Sequence, residues 1–192
     1  MGRVSSTESR HRFTPREPAL PATGELAEFL SAVEKLNPEL FEVASIVANT
    51  GIRSEELCAL RWCDVDFASR CISVASMKAP SSRRIPIGGK VSEILAARRQ
   101  RHSGHEFVLG RSPRQAIERV GRQCRLLSAR ICSRTITLRM LRMAFLKRWI
   151  DSGGSAEALA LIAGSAHVSR QSTLSWNQRY QIAVHHQSKL EL

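Results

Sequence analysis

The chain has 192 residues, 43% of them hydrophobic and 24% charged, enough apolar material for one full-sized core and too much for a disordered chain. No apolar run approaches the roughly 20 residues that cross a bilayer, so no membrane segment is expected. The formal net charge is +12, and residues 98 to 148 carry all of the excess: fourteen Lys or Arg against two acids, with the rest balanced at fifteen against fifteen. Charge gathered in one stretch is the footprint of a surface that neutralises phosphates. Aromatics at 5% argue against a base-stacking RNA module. The five cysteines, at 58, 63, 71, 124 and 132, form no C-x-x-C pair, so neither a metal site nor a disulfide framework is expected, and no cofactor is called for.

In chain order, residues 1–23 mix Ser, Thr and Arg with three prolines and read as an extended basic arm. The arm lacks the apolar segment of a secretory signal, which implies a cytoplasmic protein. Thr23 is placed to cap a helix over 24–36, with Leu26, Phe29, Leu30 and Val33 on one face. Pro38 suits the first turn of a second helix, which ends at Gly51. Arg53 then opens a further helix with Leu57 and Leu60 at i, i+3. An arginine at such a junction is either a clamp on Glu56, one turn on, or a fixed cation offered to an oxyanion.

The run Thr50-Gly51-Ile52-Arg53-Ser54-Glu55-Glu56-Leu57-Cys58-Ala59-Leu60-Arg61-Trp62-Cys63-Asp64-Val65-Asp66 resembles the first catalytic box of the tyrosine recombinases, the phage integrase family. The resemblance implies a catalytic domain over 24–180, mainly α with a small antiparallel β-sheet, followed by a tail at 181–192. It implies metal-free cleavage and rejoining of double-stranded DNA through a 3′-phosphotyrosyl link, with Arg53 on the scissile phosphate. The family's separate N-terminal helical domain does not fit in 23 residues, so DNA would be held on one face, by further copies, or with a partner recombinase.

Past the box, Ile72 and Val74, then Ile85 and Ile87, alternate around Ala79-Pro80-Ser81-Ser82 and read as a β-hairpin. Arg83 and Arg84 open its returning strand as candidate DNA contacts. Lys78, near the bend, matches the family lysine that protonates the leaving 5′-oxygen. A helix over 90–102, a short strand over 106–109 and a helix from Ser112-Pro113 follow. In the last of these, Ile117, Val120, Cys124, Leu127 and Ile131 mark the packed side. Arg114, Arg119, Arg122 and Arg125 occupy other faces, free to grip DNA.

Residues 136–145 again have a helical period and resemble the second family box, His-x-x-Arg. Arg142 matches its arginine, and Arg139 stands where the histidine belongs. A guanidinium there can contact phosphate but cannot accept a proton. Gly153 falls at the family's inter-helix turn. Counting on without a gap, Ser165 takes the third motif's His or Trp position, with His167 two residues later. The nucleophile position by the same count is Leu174. Tyr180, in Asn177-Gln178-Arg179-Tyr180, resembles the run-up to the family tyrosine, with Trp176 after Ser172-Thr173 the competing match. Two readings stand: a recombinase of a mobile element, and a degenerate relative that binds DNA without cutting it.

Overall fold

The computed structural model describes residues 20–75, 82–164 and 174–190. Two helices in contact, α1 (Thr23–Leu36) and α2 (Pro38–Thr50), are joined at Asn37, whose side chain accepts from the Leu40 N–H at 3.0 Å. Thr23 is the first helical residue and not the cap, because the last extended residue, Ala22, takes the cap position and the backbone is already helical at Thr23. The expected apolar face of α1 is the observed one: Leu26, Phe29, Leu30 and Val33 are buried. The run from Val43 to Thr50 is buried without interruption. That burial on all sides makes α2 the central helix, packed against α1, α4, α5 and α6.

The short helix α3 (Ser54–Cys58) and a 3-10 turn at Trp62–Asp64 lead into a three-stranded antiparallel sheet, β1 (Val65–Asp66), β2 (Cys71–Val74) and β3 (Arg83–Pro86), in that spatial order. Ile72 pairs with Val65 on one side and with Ile85 on the other, while Cys71 pairs with Asp66 and Pro86. Side chains alternate along a strand, so Val65, Ile72, Val74, Arg83 and Ile85 share the core face, and Asp66, Cys71 and Arg84 share the other. The expected strand over 106–109 is not formed. Phe107 makes a single bridge to Arg61, and Val108 donates to the Leu60 carbonyl at 2.8 Å, because the partner segment turns into the 3-10 helix at once.

Four helices complete the described fold: α4 (Gly89–Arg101), α5 (Pro113–Ile131), α6 (Leu138–Asp151) and α7 (Ala156–Ala163). After residues 165–173 comes α8 (Trp176–Gln187), capped by Ser175, which accepts from the Gln178 N–H at 3.3 Å. The packed side of α5 is Ala116, Val120, Cys124 and Ser128, a rotation from the expected stripe that leaves Ile117, Leu127 and Ile131 half-buried. The last helix runs on through residue 180 to Gln187. Ala183 and Leu190 join Phe145, Trp149, Ala158 and Ile162 in a second core cluster, so the C-terminal segment folds back on its own chain. Among the described residues no helix is long and apolar enough to cross a membrane, and no three His, Cys, Asp or Glu stand where they could hold a metal.

Candidate active site

The site grows from the C-terminus of α2. A helix end leaves its last carbonyls without intrahelical donors, and here each of several is met by a specific group. The Thr50 hydroxyl donates to the Ile46 carbonyl at 2.6 Å, and the Gly51 N–H to Val47 at 3.0 Å. Arg148 donates to Ala48 at 2.8 Å, and Gln187 of α8 donates to Asn49. Gly51 is left-handed, φ 62°, and a Cβ there would lie 2.4 Å from the Phe145 ring, so the position takes only glycine. The chain leaves this turn with one direction open to it, and Arg53 follows.

Arg53 caps α3 and grips Glu56. Its N–H donates to Glu56 Oε2 at 2.9 Å and its guanidinium to Oε1 at 2.7 Å. Of the two roles left open by the sequence, the clamp on Glu56 is the one observed, and the Arg53 side chain is still 42% exposed. The opposite edge of the carboxylate is taken by Arg83, which donates Nη1 to Oε1 at 2.8 Å and Nη2 to Oε2 at 2.5 Å, with Nε on the Ile162 carbonyl at 2.9 Å. Arg142 reaches the same place from α6, donating to the carbonyls of Gly51 and, at 3.1 Å, Ala163.

Gly164, left-handed at φ 72°, closes the group: a Cβ there would lie 3.2 Å from Arg53 Nη1 and from Arg83 Cζ. Two guanidiniums thus share one carboxylate at the end of α7, and a third, Arg142, is held on the backbone carbonyls beside them. Burial would raise the Glu56 carboxyl, but the Arg83 hydrogen bonds, the Arg53 N–H, the Arg83 charge and the Arg53 guanidinium hydrogen bond pull it down to about 2. Burial, followed by repulsion from Arg53, lowers Arg142 to about 10. The cluster is short of negative charge, and an anion would relieve it.

The expectation for Arg83 and Arg84 divides between the two faces of β3. Arg83, expected to face DNA, is 9% exposed and bound to Glu56, because strand alternation puts it on the core side with Ile85. Arg84 points the other way, donating to Cys71 Sγ at 2.9 and 3.2 Å, with its guanidinium carbon 5.3 Å from the centre of the Tyr180 ring. Tyr180 is buried there with Cys71 and Leu161. Burial, then the neighbouring Cys71 sulfur, push its phenol up to about 12.

Arg139 is exposed on α6, whereas Arg142 three residues on turns inward. On α5, Arg114, Arg122 and Arg125 are exposed, Arg114 pairing with Glu118 at 3.3 Å. Arg119 is tied to Glu39 at 2.9 Å. Lys78, Ser165 and His167 lie outside the described residues, and Trp176 is described only as the first residue of α8.

Residues 23–181 match the phage integrase family. The chain belongs to that family. It is 33% identical over 98 residues to the prophage integrase IntF of Escherichia coli (strain K12), a match covering 50% of this chain and 18% of that protein. The fold is similar to that of the XerA recombinase, with a TM-score of 0.69 at 22% identity over 90% of this chain and 66% of that one. It is also similar to the lambda integrase of a tetramer bound to a Holliday junction, with a TM-score of 0.62 at 18% identity over 82% of this chain and 49% of that one. The chain therefore spans two thirds or less of the integrases it is compared with. Their shared fold is the mainly α domain with a small antiparallel sheet expected from the sequence.

Two features of the site escaped the sequence reading. Arg83 has the parity of Ile85 and Ile87, so a charge on the apolar face was visible as a clue. The meeting of Cys71 with Tyr180 joins positions over a hundred residues apart, and periodicity carries no trace of it.

Proposed function

We propose that the chain is the catalytic part of an integrase that cuts and rejoins double-stranded DNA through a 3′-phosphotyrosyl link, working with further copies or a partner recombinase. The observation that carries this reading is the gathering of Arg53 and Arg83 on Glu56 beside Gly164, with Arg142 on the neighbouring Gly51 and Ala163 carbonyls. In this reading a scissile phosphate sits against Arg53 and Arg142, whose charges offset those developing on the phosphorane oxygens. Arg83 and Glu56 hold Arg53 in place and stay beneath the phosphate. The Tyr180 oxygen attacks phosphorus and gives up its phenolic proton to water, the bond from phosphorus to the 5′-oxygen breaks, that oxygen leaves with a proton supplied by Lys78, and the bond energy is kept for rejoining. Arg139 adds a cation for the DNA backbone but no base. The exposed arginines of α5, Arg114, Arg122 and Arg125, together with Arg119, follow the phosphates on either side. A DNA partner places the protein at the nucleoid.

The second reading, a DNA-binding relative that does not cut, is favoured by one observation: Tyr180 packs on the face of the sheet opposite Arg83. Nicked duplexes with a randomised core, incubated with the protein and resolved on a denaturing gel, decide between the two. A covalent band that disappears in Tyr180→Phe supports the integrase. Salt-sensitive binding without a band, weakened by Arg53→Ala and Arg142→Ala, supports the binding-only relative. A band that survives in Tyr180→Phe assigns the nucleophile elsewhere.

A further inference from the structure

Three strands each place one side chain on the outer face of the sheet beneath Tyr180. Asp66 of β1 lies 3.8 Å from the Arg84 guanidinium of β3, and Arg84 in turn donates twice to the sulfur of Cys71 on β2. The Tyr180 ring covers this row, with Leu161 of α7 beside it, and Cys71 is fully buried under it. Sulfur is a large, polarizable acceptor that suits a guanidinium and an aromatic ring at once.

We propose that Cys71 and Arg84 are positioning residues that hold Tyr180 in a resting place on the outer face of the sheet, which the ring must leave before it reaches the arginines around Glu56. The inference rests on the integrase reading, with Tyr180 as nucleophile. The resting place suits storage and not attack. A phenolate would be buried there beside sulfur, and the phenol is held near 12, far from the range in which it loses its proton easily. The arginine cluster on the other side of β3 offers the opposite surroundings, an excess of positive charge in want of an anion. Leaving the Cys71 face for the arginine side of β3 therefore changes both the reach of the tyrosine and its acidity.

Cys71 reports that movement, because the ring that shields it is the ring that must leave. Cys63, exposed on the 3-10 turn, is the internal standard in the same molecule. The full chain is treated with iodoacetamide, with and without nicked duplexes of randomised core, and alkylation at Cys71 is read by peptide mass mapping relative to Cys63. Wild type and Tyr180→Phe should protect Cys71 by at least about tenfold, and Tyr180→Ala should lose that protection. In wild type, protection should fall as the covalent DNA complex accumulates, a measurement that needs no variant to fold. Cys71→Ala should then raise the maximal rate of covalent-complex formation by about 3- to 10-fold, with the half-saturating DNA concentration unchanged. A packing role alone would instead move that concentration or slow the rate.

Equal labelling of free wild type and Tyr180→Ala overturns the inference, as does an unchanged or lower maximal rate in Cys71→Ala. A covalent complex in which Cys71 stays protected overturns the inference alone. Absence of any covalent complex overturns the nucleophile reading, and this inference with it.

Discussion

Arg83 and Arg84 are chain neighbours with opposite surroundings. Arg83 turns into the core, spends its guanidinium on Glu56 and the Ile162 carbonyl, and stands with Arg53 and Arg142. Arg84 turns outward, shares its charge with Asp66, and lies over Tyr180 and Cys71. One face of a short strand therefore carries the cations suited to a phosphate, and the other carries the tyrosine. The difference teaches that the electrostatic and covalent halves of the proposed chemistry are built by separate contacts. Each should be breakable without the other.

The largest effect should come from Glu56→Ala. Among the described residues Glu56 is the one carboxylate bound to both Arg53 and Arg83, and its removal leaves charged groups half-buried and without that partner. Breaking such a pair costs about 3–5 kcal/mol, read as a fall in the urea midpoint. The Tyr180 side should be indifferent, so Cys71 should remain protected from alkylation wherever the variant is folded. Loss of that protection in folded Glu56→Ala would join the two halves and end the comparison.

Acid should reach the same contact more gently. The Glu56 carboxyl is depressed from 4.5 to about 2, so its stabilisation is complete above the unfolded value and is lost as pH falls through the folded one. Between pH 4.5 and 2 that contribution, about 3 kcal/mol at one unit per 1.36 kcal/mol, should drain away. Glu56→Gln, less stable at neutral pH, should show a flatter acid limb. A limb as steep as that of wild type would place the acid sensitivity elsewhere.

Anions come next in size. Burial and the repulsion of Arg53 lower Arg142 to about 10, a cost carried by the folded protein at neutral pH and relieved by an anion in the cluster. Sulfate at ten times its dissociation constant should stabilise by about 1.4 kcal/mol, or roughly 3–6 °C in Tm, beyond chloride of equal ionic strength. Arg142→Ala should erase that difference, and Arg84→Ala, on the other face, should keep it.

Much of this was legible in the sequence, and the reasons for success and failure are physical. α2 announced itself by Pro38 at its first turn and Gly51 at its end, and the first box tied Arg53 to Glu56 because both lie within one turn. Local periodicity carries that much. It does not carry which way a strand residue faces when the flanking pattern is short, so Arg83 was read as a surface cation although Ile85 shares its parity. Nor does it carry register across the chain. The placing of Tyr180 over Cys71 depends on how α7 and α8 lie against β3, a long-range arrangement that no window of residues encodes. The strand expected at 106–109 failed for a related reason, since its partner turns away after one bridge.

The smallest effect on folding should come from the basic face of α5, and it separates that face from both halves of the site. Arg122 and Arg125 are exposed beside the packed row of Val120 and Cys124, so alanine at either should change stability by no more than about 0.5 kcal/mol. If each meets one phosphate, each substitution should lower the slope of log affinity against log salt by about 0.9 for duplex DNA, whatever its sequence. The rate of covalent capture at saturating DNA should not change, because neither residue belongs to the cluster at Gly164 or to the outer face under Tyr180. A slope that stays at the wild-type value would move the DNA off α5 and onto the other basic helix face, where Arg139 is exposed on α6. A fall in the saturated rate would mean that α5 positions the reacting phosphate, and the cluster around Glu56 would then be only part of the site.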